Sequence, residues 1–506
     1  NNPLTMLLAI SILLLGYITL NIAPREEDPQ IEVSGGSIIV VVPGASPEAI
    51  TNVVIKPLER RLREIKGVEH IYGTAMNSVA ILNVQYFIGE NRENSNLKLY
   101  DKVMQNMDVL PSGVKFPLVK PFDIDIDIPI VTVSFYQKDQ SIPHTLEQHH
   151  IIREIQQEIN AIDNVSKSSL KGIRNPQFNI EVDLDRLSAY HLSLGQIKKS
   201  VQAIANNAPN IDAPSENGSL MVFGVENGIE TVDDLNNLIV AQYSGSPIYL
   251  KNIAKIELGF NIQSKQYSYL AIRDNNNTFN DPIEQITLTI SKLKGTNAVH
   301  IAKNVLDKIK ENQEILNNAG IGYIVTRNYG VRADEAVSEL IHHLVITIAI
   351  IGLILIPFLG LRESLVVSIA VPMILALTLF IAYMSDQTIN RITLFAFLLS
   401  LGLIVDDAII VIENIHRHMH LKKPEKQSID DLIIEATDEI GPSTNVATIA
   451  IILTMVPMAF VGGMMGQFMK PIPLNVPVAL AVSLVVAYVF TPFLAKKVLK
   501  FKKESM

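Results

Sequence analysis

Runs without a charged side chain divide this sequence. No Asp, Glu, Lys or Arg precedes Arg25, and Leu4 to Ala23 is almost wholly apolar. Further uncharged windows run from Leu340 to Leu361, Ser364 to Met384, Ile440 to Met469 and Pro471 to Ala495. Another starts at Ile392 and continues into "GLIVDDAIIVIENIHRH" (402 to 418). Crossing about 30 Å of hydrocarbon takes ~20 mostly apolar residues in a helix. The pattern therefore predicts one spanning helix, a long insert, and five more spans in close succession. An apolar stretch as long as the first, with no small-residue cleavage pattern after it, reads as a retained anchor rather than a signal peptide.

Within the insert, residues 24 to 338, apolar positions alternate as in strands or recur at helical spacing. "GGSIIVVVPGASPEAITNVVIKPLERRLREIKGVEHIYGTAMNSVAILNVQYF" reads strand, helix, strand, strand, with Ser46 as N-cap and Pro47 at the first helical position. A second stretch repeats the order: "IPIVTVSFYQ", a helix near Leu146 to Ile162, then "NVSKSSLKG" and "FNIEVDLD". Each is expected to be a split, ferredoxin-like βαβ unit with helices over one face of a small sheet. From Asp183 to about Gly259 the pattern changes, through a helix near Ser193 to Asn206 and a loop rich in Asn, Pro, Ser and Gly, to what reads as an inserted domain. Residues 284 to 328 return to strand, helix, strand. The fold class is thus a membrane α-helical bundle of six spans plus an α+β domain of ferredoxin-like βαβ units. Its expected divisions are helix 1 (1–24), a first α/β subdomain (25–121), a second in two parts (122–176 and 263–335), an inserted subdomain (177–262) and helices 2 to 6 (336–506).

Composition agrees with a membrane protein carrying a sizeable polar part: 506 residues, 48% hydrophobic. With 42 basic against 51 acidic residues the formal charge is -9, which leaves no broad basic surface for nucleic acid. The GxxxxGK[ST] phosphate loop is absent, arguing against ATP as a direct energy source. The absence of cysteine removes disulfides and thiolate metal sites and leaves the compartment open. Basic residues beside the spans set orientation. Arg362, then Arg417, Lys422, Lys423 and Lys426, then Lys496, Lys497, Lys500, Lys502 and Lys503 all fall on one side, expected to be the cytoplasm, with the insert opposite.

Asp406 and Asp407 are the formally charged residues between Arg391 and Glu413. An acid near the centre of a span costs ~3 kcal/mol on insertion scales. Consecutive helical residues point about 100° apart, so the bundle interior is the expected place for at least one of the two. Neighbouring carboxylates in such a medium resist joint ionisation, which suits them to load and release a proton. The plainer alternative is a static pair hydrogen-bonded to neighbouring helices. Glu413, seven residues after Asp406 on the same face, reads as a solvated or snorkelling residue near the boundary.

Other conspicuous residues read more simply. His144, His149 and His150 miss the i, i+4 spacing of a helical metal site and are expected at the surface. His342 and His343 read as an interfacial polar pair. Packing and membrane burial account for Met458, Met464, Met465 and Met469 without a soft-metal path. "DIDIDI" (Asp123 to Ile128) alternates at strand period, putting its acids on one wet face. No metal site is expected.

"GLIVDDAIIVIEN" (402 to 414) resembles the fourth-helix signature of resistance-nodulation-division (RND) exporters, in particular the drug-type, hydrophobe/amphiphile branch with paired aspartates. "VVPGASPEAI" (41 to 50), "GVEHI" (67 to 71), "VDLDRLSAYHLS" (182 to 193), "SIAVPM" (368 to 373) and "VPMAFVGG" (456 to 463) agree with that family in order. The likeness spans essentially the whole chain and corresponds to the family's N-terminal half. It implies two porter subdomains and a docking subdomain in the periplasm, a trimer in the inner membrane, and partnership with a periplasmic adaptor and an outer-membrane channel. Asp406 and Asp407 match the proton-relay pair. The proton motive force is then the energy source, with no cofactor and no enzymatic activity, and small amphiphilic molecules are the cargo.

Two departures accompany the likeness. Family members have a second, similar half that supplies a basic relay partner. This chain runs from Asn1 to Met506 and is expected to be either a piece of a longer transporter or a half-transporter that needs the missing half or a homologous half-subunit. Lys171 stands where drug-type members tend to carry a pocket aromatic. A cation there favours acidic or amphiphilic cargo, while a solvated strand lysine is the plainer reading. The alternatives are a metal-ion or lipid exporter of the same superfamily and a non-transporting half-length assembly subunit.

Overall fold

A computed structural model describes residues 2–31, 33–111, 114, 116–123, 128–139, 144–205, 211–214, 220–223, 229–243, 245–261, 267–273, 277–421 and 428–499. The first helix, α1 (Asn2–Ile22), has no acidic residue in its first turn and no basic residue in its last. It lies so close to a later span that a Cβ on Gly16 would sit 2.3 Å from Cβ of Ala376, the small-residue contact that lets helix backbones approach in lipid.

The first α/β unit runs β1 (Ser34–Val41), α2 (Pro47–Ile50), a π turn (Thr51–Ile55), α3 (Lys56–Leu62), β2 (Val68–Met76), β3 (Val79–Tyr86), α4 (Arg92–Gln105) and β4 (Leu118–Asp123). Ser46 caps α2 by accepting from the Ala49 amide, with Pro47 following it as expected. All strand pairs are antiparallel, in the order β2-β3-β1-β4. Alternate residues Ile38, Val40, Ala80, Leu82, Val84 and Tyr86 are buried against Ile50, Val54, Leu58, Leu62, Leu99 and Val103 from the helices. The period of two in the strands thus meets the period of 3.6 in the helices on one face.

The second unit begins with β5 (Val131–Gln137), α5 (Leu146–Asn160) and β6 (Val165–Lys171). The chain then leaves it through β7 (Pro176–Val182) and returns through β8 (Ala254–Phe260), which pair with each other as an antiparallel ribbon. Two short hairpins lie between them (Ile211–Pro214 with Leu220–Phe223, and Ile239–Tyr243 with Ser246–Tyr249). A separate small core gathers Leu187, Ile197, Leu235, Leu250 and Ile253. The unit resumes with β9 (Ile283–Lys292), α6 (Ala298–Glu311) and β10 (Ile321–Asn328). Four of the five strands in its sheet follow β6-β9-β5-β10, all antiparallel, the same plan as the first unit, and a short fifth strand (Ser268–Leu270) pairs antiparallel with the start of β9. This corrects the expected place of "FNIEVDLD". That strand belongs to the ribbon, because Phe178, Ile180 and Val182 pack in the separate core. Its expected position in the sheet is taken by β9, whose Ile286, Leu288 and Ile290 meet Ile152, Ile155, Ile301 and Val305. The opposite face of this sheet is polar, with Ser169 and Thr289 hydroxyls 2.7 Å apart and Thr132 and Thr326 hydroxyls 2.7 Å apart.

Six helices among the described residues are long and apolar enough to cross a membrane. After α1 come α7 (Tyr329–Leu359), α8 (Leu361–Met384), α9 (Arg391–Leu421), α10 (Ile429–Met455) and the run from Gly463 to Val498, which contains α11 (Pro471–Val485) and α12 (Thr491–Val498). α7 starts eleven residues earlier than the uncharged window. Asn328 caps it, and its first turns pack Gly330, Ala333 and Val337 against the second unit and the bundle end. The bundle core collects Ile374, Ile404, Val411, Val476 and Val486, with α9 near its centre.

Residues 24 to 27 tie the bundle to the second unit. The Ile389 amide donates to Pro24 O at 2.8 Å, and the Glu26 amide donates to Ile389 O at 2.9 Å. The Ala298 amide, at the start of α6, donates to Arg25 O at 2.9 Å, and Arg25 pairs with Asp334 at 2.6 Å. The buried Glu26 carboxylate pairs with the buried ammonium of Lys292 at the end of β9 and accepts from the Thr388 hydroxyl at 3.1 Å. Arg391, at the start of α9, pairs with Glu27 at 2.9 Å.

The histidines correct another expectation. His150 is exposed beside Glu154, but His144 and His149 are only 4% and 3% exposed. His149 packs at a tilt against the Phe260 ring, centroids 4.5 Å apart, and accepts from the Arg174 amide at 3.3 Å. The Arg174 guanidinium covers the same Phe260 ring and binds Glu284 at 2.8 Å. These partners lie far along the chain, so the local spacing of the histidines carried no sign of them. The acidic run keeps only Asp123 and Ile128 among the described residues; its positions 124 to 127 lie outside them.

Two measurements follow. Burial first, and then the positive charges of His144, Arg174 and Arg153, push the His149 pKa from 6.5 down to about 4. Between those values the unfolded chain binds a proton that the folded chain does not, so stability falls as pH drops through that window, by up to about 3 kcal/mol. Melting curves across pH are expected to show this acid-side loss in the wild type and much less of it in His149→Gln. Separately, Lys292→Met leaves the Glu26 charge buried without its cation and is expected to cost about 3–5 kcal/mol, most of it recovered in a Glu26→Gln/Lys292→Met double variant. Thermal unfolding of the detergent-solubilised chain measures both.

Candidate functional site

Where α9 crosses the middle of the bundle, its two consecutive aspartates part company. Asp407 turns inward and is 5% exposed, while Asp406 is exposed on the other side of the helix. The 100° step between neighbouring helical residues produces this split. Phe395, Leu399, Gly402, Asp406, Ile410 and Glu413, spaced by three or four residues, form one exposed stripe along α9. Nothing lies within 4 Å of where a Gly402 Cβ would stand. Glu413 thus shares the Asp406 face, as its spacing predicts.

The Asp407 carboxylate is held from two other helices. Thr448 on α10 donates its hydroxyl to Oδ1 at 3.1 Å, and Ser483 on α11 donates to Oδ2 at 2.5 Å. Ile404 and Val411, one turn away on either side along α9, and Ala479, Leu480 and Val482 of α11 belong to the buried apolar core of the bundle, so the two hydroxyls carry the main work of replacing water around the 5%-exposed acid. Each hydroxyl has a second acceptor within reach. Thr448 Oγ1 is 3.0 Å from Thr444 O, and Ser483 Oγ is 2.7 Å from Leu480 O. A hydroxyl has one proton and two lone pairs. It can therefore donate to a carboxylate, or swing that proton to the backbone carbonyl and accept from a carboxylic acid. Both ionisation states of Asp407 can be satisfied with the same side chains in place.

Thr448 and Ser483 were not among the residues that stood out in sequence. Their signal is faint, a hydroxyl inside an uncharged window, and only the packing of α10 and α11 on α9 joins them to the acid. Lys171 closes β6 opposite Thr287, exposed on the face of the sheet turned away from the helices. It lies in the insert and takes no part in the Asp407 site. His342 and His343 are exposed at the start of the second span, His343 beside Glu339 at 3.5 Å. Met458, Met464 and Met465 are exposed, so internal packing does not explain those three. No group of three or more His, Cys, Asp or Glu side chains gathers into a metal site among the described residues.

Basic residues collect at the end of the bundle away from the insert. Arg417 of α9 pairs with Glu439 of α10 at 2.8 Å, and Lys496 of α12 pairs with Asp430 at 2.5 Å. The other end carries the Glu26 and Lys292 tie to the insert.

Six apolar helices, an α/β insert between the first and second, and a buried acid held by neighbouring spans define a multi-pass membrane transporter. Residues 2–506 match the AcrB/AcrD/AcrF family, and the chain belongs to it. It is an exporter of the RND superfamily, a transporter family rather than a family of enzymes.

Proposed function

We propose that this chain is a proton-driven efflux subunit of the inner membrane, and that Asp407 loads and releases the coupling proton. The single observation carrying this reading is the inward acid with a hydroxyl from each of two other helices, both hydroxyls able to reverse their hydrogen bonds. When Asp407 is ionised, Thr448 and Ser483 donate to it and draw α10 and α11 toward α9. When it is protonated, it donates to one hydroxyl, which turns its own proton back to Thr444 O or Leu480 O. The change alters the charge-assisted bonds linking three helices, and such bonds are roughly twice as strong as neutral ones. Net helix contacts therefore depend on proton occupancy, which is what coupling to a proton gradient requires.

Asp406 completes the pair from the outward stripe. A carboxylate facing lipid is costly, so the stripe calls for a covering helix with a cationic or hydrogen-bonding partner. We assign that cover to a second half or a homologous half-subunit. The two insert units share one antiparallel strand order and one-sided helices, which supports reading them as ferredoxin-like porter subdomains. The β7–β8 module with its own core suits a docking subdomain toward an outer-membrane channel, with a periplasmic adaptor and a trimeric assembly. The basic end supports placing the α7–α8 and α9–α10 connections and the end of α12, with their Arg and Lys residues, in the cytoplasm and the insert in the periplasm. Small amphiphilic molecules are the proposed cargo.

The direct test reconstitutes the chain with its covering half and follows efflux driven by an imposed pH gradient. Asp407→Asn is expected to reach the membrane in normal amount and to lose about 10²-fold or more of proton-driven efflux, the size of effect seen when a positioned proton-transfer group is removed. Undiminished, gradient-dependent efflux in that variant contradicts the assignment.

A further inference from the structure

α9 ends in three alternating histidines, and the structure gives them different surroundings. His418 is buried, with Nδ1 3.1 Å from Asn414 O and Nε2 3.2 Å from Glu439. His416 and His420, four residues apart, share one face of the helix, their rings stacked with centroids 4.2 Å apart. Both commit the same ring nitrogen. His416 Nδ1 lies 3.0 Å from Glu363 Oε1 on α8, and His420 Nδ1 lies 2.9 Å from His416 O. A carboxylate and a carbonyl only accept, so in each ring the hydrogen sits on Nδ1 and the neutral imidazole leaves its lone pair on Nε2.

Two imidazoles at i and i+4, each with its Nδ1–H tied to an oxygen acceptor, reproduce the way proteins orient histidines that bind metal through the other nitrogen. Neutral imidazole suits zinc, nickel and copper. A tetrahedral ion with Zn–N bonds of about 2.0–2.1 Å holds two nitrogens roughly 3.4 Å apart, so on binding the two rings turn out of their stacked arrangement until both Nε2 lone pairs converge on the ion. Among the described residues, Arg417 is paired with Glu439 and Lys496 with Asp430.

We propose that His416 and His420 form a binding site for a divalent transition-metal ion, coordinating through both Nε2 atoms, with Glu363 orienting His416 and water filling the remaining positions. Glu363 is taken up by Nδ1 of His416, and no group of three or more His, Cys, Asp or Glu side chains able to hold an ion is present among the described residues, so the site has two protein ligands and is an exchangeable one. Glu413, exposed one turn before His416, is the next carboxylate on that stripe. The site lies nine residues along α9 from Asp407 and stands independently of the transport reading.

The experiment is calorimetric titration of zinc chloride into the tag-free, chelator-stripped chain in detergent, with magnesium chloride as the hard-ion control. One zinc per chain is expected, with no magnesium heat. His420→Asn, at an exposed last-turn position that leaves the fold intact, and His416→Asn each weaken zinc binding at least about tenfold, while Glu363→Gln keeps the stoichiometry and loses about 10-fold in affinity. His300→Asn, on an exposed position of α6, leaves the titration unchanged. Absence of zinc binding by the wild type, or equal binding by a His416→Asn/His420→Asn double variant, overturns the proposal.

Discussion

Placing a carboxylate in a hydrocarbon-like interior is the constraint around which this bundle is arranged. Desolvation of Asp407 must be offset locally, and the local means are two hydroxyls, from Thr448 and Ser483, on different helices. That requirement brings α10 and α11 to α9 at one level of the membrane, and the close-packed apolar residues around them keep water from taking over the role. Because each hydroxyl also has a backbone carbonyl in reach, the arrangement accommodates the acid with or without its proton. A fixed positive partner would have stabilised one state only.

Energy handled at that level has a covalent and electrostatic route to the insert. α9 begins at Arg391, which pairs with Glu27, and the loop before it bonds to residues 24 to 26. Glu26 in turn holds Lys292 at the end of β9, and Arg25 O holds the start of α6. Under the proposed function, a shift of α9 is passed through these contacts to one strand and one helix of the second α/β unit, which share one packed core. The polar outer face of that unit, and the first unit with the same strand order, are the surfaces that such a movement opens and closes under the proposed function.

The spans were legible because lipid forbids charge over ~20 residues, a rule strong enough to survive without any partner information. The first α/β unit was legible for a local reason: its strands and helices follow each other without interruption. The second was not fully so. "FNIEVDLD" and "EQITLTISK" alternate equally well, and only long-range pairing decides that β9, not β7, joins β5. Asp407 announced itself by charge, whereas Thr448 and Ser483 are inconspicuous in apolar windows and acquire meaning from a neighbour about 41 and 76 residues away. His144 and His149 failed in the same way, since Phe260 and Arg174 bury and hold His149 from another part of the chain. The divergence of Asp406 and Asp407 followed from helix geometry alone.

Difference infrared spectroscopy of the reconstituted chain, stepped between acidic and neutral pH, tests the proton site most directly because it reads the carboxylic-acid carbonyl itself. The account predicts a protonation-dependent carbonyl band that disappears in Asp407→Asn and shifts when Ser483→Ala removes a hydrogen-bond partner. A spectrum that Asp407→Asn leaves unaltered would contradict it.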